Sequence, residues 1–143
     1  MPSSSTSNYQ HQTYLDFWLK GTAWTPPSTF YVALFTTSPS LAGTGGVEVS
    51  SSGTGYSRIT ISRAGGSWNG PSGTNQEYSN AADLTFGSPT GNWGTIVAAA
   101  IYDASSGGNM LLLAPFTTAK TVNNGDAAPK ILAGQLKIAR ATC

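Results

Sequence analysis

One histidine, His11, and six carboxylates, Asp16, Glu48, Glu77, Asp83, Asp103 and Asp126, are the groups with which this chain could move protons or hold a metal ion. Catalytic carboxylate pairs and metal sites both need several such groups converging on one point. Here each carboxylate stands alone in sequence, and His11 has no second histidine and no cysteine near it. A Ser-His-Asp triad would have to recruit His11 from the N-terminal stretch, and no nucleophile-elbow pattern is present. The glycine-rich runs "GTGG" (43 to 46) and "GTGY" (53 to 56) lack the following helix and the Lys-Ser/Thr pair of a phosphate-cradling loop, so they read as turns. The sequence thus predicts no catalytic residue, no metal site and no cofactor, and hence not an enzyme. Tyr31, Phe35, Trp68, Trp93 and Tyr102 could form a carbohydrate platform, but core and subunit contacts use the same residue types, and that reading is favoured.

The elements that must position these groups are short. Residues 1 to 7 form a Ser/Thr-rich arm with nothing to bury, expected to be mobile or held by a partner. In "NYQHQTYLDFWLKG" (8 to 21), Tyr14, Leu15, Trp18 and Leu19 fall on one side at helical spacing, with Asn8 as a start and Gly21 as a stop. Pro26 and Pro27 then impose an extended linker. Strands follow at "TFYVALFTT" (29 to 37), "SRITISR" (57 to 63), "ADLTFGS" (82 to 88), the limbs of 93 to 116, "TTAKTV" (117 to 122) and "KILAGQLKIA" (130 to 139). Asn124-Gly125 marks a hairpin-like connection between the last two. Seven or eight short strands joined by Gly-rich loops predict a mainly β fold, an antiparallel β-sandwich or related barrel over 29–140, preceded by a helix over 8–21, all within one domain spanning 8–143.

Only 9% of the 143 residues are charged, and the net charge is +1, with no basic stripe for a phosphate backbone. No direct nucleic-acid partner is expected on that ground. No apolar run reaches the length of a membrane helix, and "MPSSSTSNYQHQTYL" lacks the regions of a secretory signal, so a chain made in the cytoplasm with no membrane partner is expected. Cys143 stands by itself at the C-terminus and reads as a free thiol.

The stretch "WGTIVAAAIYDASSGGNMLLLAPF" (93 to 116) poses a packing problem, because both of its limbs are apolar on both faces. Strict alternation puts Ile96, Ala98, Ala100 and Tyr102 on one face and Val97, Ala99 and Ile101 on the other. Cover for the second face is expected from another copy, from the N-terminal helix through Trp18 and Leu19, or from a particle surface. A homo-oligomer follows, with Ile101 and Leu112 as contacts. A second set of contacts, Tyr9, Tyr14, Phe17, Trp18 and Trp24, crowds five aromatics into sixteen residues, more than a short helix can bury against one small domain.

Several motifs carry a resemblance. "YVALFTT" with its following proline, the Glu48, Val49, Gly55, Tyr56 and Arg58 element, and "WGTI" leading to "IYDASSGGNML" resemble a family of small tailed-bacteriophage virion proteins over about residues 8 to 138. Its members are commonly labelled tail fibre proteins, and some similar ones look like head decoration or cement subunits. The Ser/Thr extension and the longer middle loop 63 to 80 depart from the family pattern. The resemblance implies a structural virion protein assembled in the host cytoplasm. A capsid cement bound to the major capsid protein is favoured, because a chain without a fibrous repeat cannot reach far. The alternative is a tail fibre or tail-tip component, with a host-surface glycan as a further possible contact.

Overall fold

The computed structural model describes residues 5–139. Residues 1–4 of the arm, together with Arg140 and Cys143, lie outside the described residues. In chain order the elements are β1 (Ser5–Thr6), α1 (Asn8–Lys20), β2 (Thr29–Thr37), β3 (Val47–Glu48), β4 (Ile59–Ser62), β5 (Trp68–Ser72), β6 (Glu77–Asn80), β7 (Leu84–Thr85), β8 (Gly94–Tyr102), β9 (Met110–Val122), β10 (Lys130–Ile131) and β11 (Lys137–Ile138). All strand pairing is antiparallel, and the fold is a β-sandwich with an N-terminal helix. A six-stranded sheet runs β1-β9-β8-β2-β3, with β4 also on β2. The opposing layer holds the three-stranded sheet β11-β6-β5 and the pair β10-β7.

Branched and aromatic residues make β2 the strand that sequence predicted, and it takes the centre of the large sheet beside β8, with Val32 opposite Ile101 and Ala33 opposite Ala100. Between the two layers lies the main core, where Val32, Leu34, Ile96, Ile101 and Leu111 of the large sheet meet Leu84, Phe86, Ile131 and Leu136. Tyr56, Phe86 and Trp93 pack together at its end, with ring centroids 5.2 to 6.3 Å apart. The Trp93 indole donates to the Thr54 carbonyl at 2.8 Å, so its one polar group is satisfied on burial.

The outer face of the large sheet carries a second cluster, Ala33, Phe35, Ala98, Ala100, Tyr102, Met110 and Leu113, each no more than 8% exposed within one chain. Neither a second copy nor the Trp18 and Leu19 side chains are needed to cover it, contrary to the expectation. Pro39 is buried, Gly43 comes within reach of the Met110 Cβ, and the Arg58 guanidinium lies 4.0 Å over the Tyr102 ring. Loops of the chain itself therefore close this face. The alternation also breaks where a register shift between Ile96 and Ala98 turns Ile96 to the side of Ala99 and Ile101.

Three local expectations need correction. Ser7, not Asn8, caps α1: its hydroxyl accepts from the Gln10 N–H at 3.1 Å, while Gly21 ends the helix at φ 66°. Residues 5 to 7 of the arm are engaged by their own fold, since Ser5 and Thr6 pair with Leu113 and Leu112, and buried Ser7 donates to the Met110 and Leu111 carbonyls. The Asn124-Gly125 turn forms, but it joins strands of different sheets, because β10 pairs with β7 and the stretch 130 to 139 divides into β10 and β11 around a turn.

Candidate interaction surface

Helix α1 buries none of its residues. Its half-buried positions are Gln10, Thr13 and Asp16, one polar side that faces the fold. The opposite side, where spacing gathers Tyr14, Leu15, Trp18 and Leu19, is turned outward, with Trp18 69% and Leu19 75% exposed. Tyr9 and Phe17 are also exposed. The periodicity of the stripe was legible in the sequence; its direction was not, because an apolar stripe has the same spacing whether it meets a core or a partner. Among the described residues, Trp18 and Leu19 plug no end of the sandwich.

Beside the helix, the linker and both layers enclose an apolar recess of about 300 Å³, lined chiefly by Trp24, Pro26, Phe30, Trp68, Ile101 and Leu112. The seven predicted contact residues thus fall into two separate groups, since the recess meets α1 only at Gln10, on the side that faces the fold. Tyr9, Tyr14, Phe17 and Trp18 project from α1, whereas Trp24, Ile101 and Leu112 wall the recess. Ile101 is only 3% exposed and belongs to the main core, so it shapes the recess from within rather than offering an outer contact. The aromatics favoured as core rather than as a sugar platform pack inward: Phe35, Trp93 and Tyr102 are buried, and Tyr31 and Trp68 are half-buried against the clusters.

Because α1 gives up no buried side chain, Trp18→Ala is expected to move the thermal midpoint of dilute protein by less than about 2 °C, the range of an ordinary surface substitution. A plugging tryptophan would instead cost about 3 to 5 kcal/mol. Circular-dichroism melting of the variant separates the two.

The Glu48, Tyr56 and Arg58 positions singled out by the resemblance come together as one latch. Arg58 donates through Nε and Nη2 to the two Glu48 carboxylate oxygens at 2.9 and 2.8 Å, and through Nη1 to the Ala104 and Gly107 carbonyls at 2.8 and 2.9 Å. The Tyr56 hydroxyl donates to Glu48 and accepts from the Leu34 N–H, each at 2.9 Å. Burial, with the neighbouring Glu48 charge adding to it, pushes the Tyr56 phenol pKa well up, so the hydroxyl stays a donor. Burial of the Arg58 guanidinium works against its charge, but the hydrogen bonds and charge of Glu48 prevail and raise its pKa. The latch ties the loop before β9 to the loop before β4 and lays Arg58 over Tyr102.

The other carboxylates are engaged as well. Asp16 pairs with Lys20, Glu77 with Lys137 and Asp83 with Lys130, while Asp103 accepts from Asn109 and Asp126 from the Asn123 N–H. Among the described residues no three His, Cys, Asp or Glu side chains are grouped to hold a metal ion. His11 is exposed on α1.

Comparison with known proteins gives one family. The family model described as podophage GP4 fiber I protein gp80 matches residues 5–139, which is nearly the whole chain. No curated protein matches it.

Proposed function

Since the chain belongs to the podophage GP4 fiber I protein gp80 family, and is therefore a structural protein of a phage virion, we propose that it is a subunit of the tail fibre apparatus. The match over residues 5–139 is the observation that carries this reading. It also removes the main ground for a capsid cement: a family described as a fibre protein spans a chain of this size, so the lack of a fibrous repeat does not argue for the head. The role is non-enzymatic. Its partners are other virion proteins, met through the outward side of α1, and assembly takes place in the host cytoplasm.

Attachment by this surface fits its chemistry. Interface centres are poor in charge and rich in Tyr and Trp, and the helix presents two tyrosines, a phenylalanine and a tryptophan on a fixed scaffold. Cryo-electron microscopy of intact particles, with the chain marked by a bound antibody fragment, is expected to place it on the tail. A regular array over the head shell would overturn the fibre reading in favour of the cement role.

A further inference from the structure

We propose that the polar recess beside the Glu48 and Arg58 latch is a binding site for a neutral saccharide. The site goes beyond the fibre reading and does not depend on where in the particle the chain sits. Here the loops before β4 and β9 leave a recess of about 370 Å³, within the range of about 300 to 1,000 Å³ usual for small ligands. Five of its nine lining residues are serines, Ser50, Ser51, Ser57, Ser105 and Ser106, and all five are exposed. Among the described residues the hydroxyls of Ser51, Ser57, Ser105 and Ser106 have no hydrogen-bond partner, so four groups that each donate and accept converge on one hollow.

The latch supplies the charged part of the site. Arg58 makes four hydrogen bonds to the chain's own acceptors, and one of its five guanidinium N–H groups keeps no partner among the described residues, although the side chain is only 6% exposed. A buried donor left unpaired is costly, and Arg58 lines the recess, so a ligand oxygen seated there would satisfy it. Glu48 adds an acceptor: its Oε2 takes one bond, from Arg58, and its side chain is 28% exposed. The pair also selects the ligand's charge. Glu48 neutralises Arg58 and is the more exposed of the two, so an anion would meet the carboxylate first, and a lone carboxylate does not make a metal site. A sugar matches what remains, because its neighbouring hydroxyls donate to Glu48 and both give and take bonds with the serines, while its C–H face rests on the buried Val49 and Tyr56. Arg58 already fastens the two loops to each other, so little order is lost on binding.

The test follows the full, isotope-labelled chain by amide NMR while glucose, galactose, mannose or N-acetylglucosamine is added to about 50 mM, enough to saturate a site with a Kd of about 1 mM. At least one of these sugars is expected to shift the amides of Ser51, Ser57, Ser105 and Ser106 and the Arg58 Nε–H together and saturably. Ser57→Val with Ser106→Val, which removes two hydroxyls from exposed loop positions, is expected to weaken that binding by at least about tenfold and to leave the rest of the spectrum unchanged. Sulfate in place of sugar is expected to leave these signals where they are. No saturable shift at these residues with any of the four sugars overturns the assignment. A response to sulfate that the sugars do not match overturns it too, and would make the recess an anion site. So does a shift that glycerol reproduces at the same concentration, or one that the double variant retains in full.

Discussion

Replacing Asn80 by leucine, which has the same number of side-chain heavy atoms but no polar group, is expected to lower the thermal midpoint by about 10 °C or more. Asn80 is fully buried at the end of β6. Its Nδ2 donates to the Ala82 and Leu132 carbonyls at 2.8 and 3.0 Å, and its Oδ1 accepts from the Leu136 N–H at 2.9 Å. Leucine would strand the buried Leu136 N–H and leave the part-buried Ala82 and Leu132 carbonyls without their donor, at about 1 to 3 kcal/mol for the buried group and less for the other two. An expected loss of about 2 to 5 kcal/mol is large beside a total stability of about 5 to 15 kcal/mol.

Charge sharpens the same prediction. Asn80→Asp keeps an acceptor for Leu136 but sets a carboxylate against two carbonyl oxygens, which raises the acid's pKa in the folded state above its unfolded value of about 3.9. Stability of that variant is then highest in acid and is lost as pH rises through the folded pKa. The consequence reaches the interaction surface, because Trp68, Tyr78 and Ile138 on the sheet that Asn80 braces form one wall of the apolar recess. Scanning calorimetry at pH 3 and pH 7 checks both variants; a leucine variant melting within about 1 °C of wild type would falsify the assignment.

Asn80 also shows where sequence reading ends. Its bond to Leu136 spans 56 residues, and nothing local distinguishes this asparagine from those in the turns around it. The elements with strong local signals were legible: β2 from its branched and aromatic run, α1 to within a residue at either end, and the 93 to 116 hairpin as two strands about a Ser/Gly turn. The second apolar face of that hairpin was correctly seen, but its cover was not. Ala33, Ala98 and Ala100 are small enough for polar, glycine-containing loops to close over them, and such loops carry no hydrophobic mark of their own. Similarly, β5 and β6 form a hairpin inside what sequence offered only as a long loop, since "WNGPS" and "EYSN" have little strand propensity and are held by partners elsewhere in the chain.

Arg58→Ala is expected to cost about 3 to 5 kcal/mol, the range for breaking a buried ion pair from one side. The Arg58 side chain is 6% exposed and Glu48 28%, so removing the guanidinium leaves a carboxylate partly out of water with only the Tyr56 hydroxyl to satisfy it. The Ala104 and Gly107 carbonyls lose their donor, and the Tyr102 ring loses the cation above it. Arg58→Lys should recover little, because an ammonium cannot reach both carboxylate oxygens and two carbonyls at once or stack flat on the ring. Glu48→Gln is expected to be milder than Arg58→Ala, as the amide still accepts one of the guanidinium bonds. A double-mutant cycle in urea measures the coupling: Glu48→Ala and Arg58→Ala together should cost clearly less than the sum of the two single changes. Strictly additive losses would mean that the two side chains act separately, and that loop packing alone closes the outer face of the large sheet.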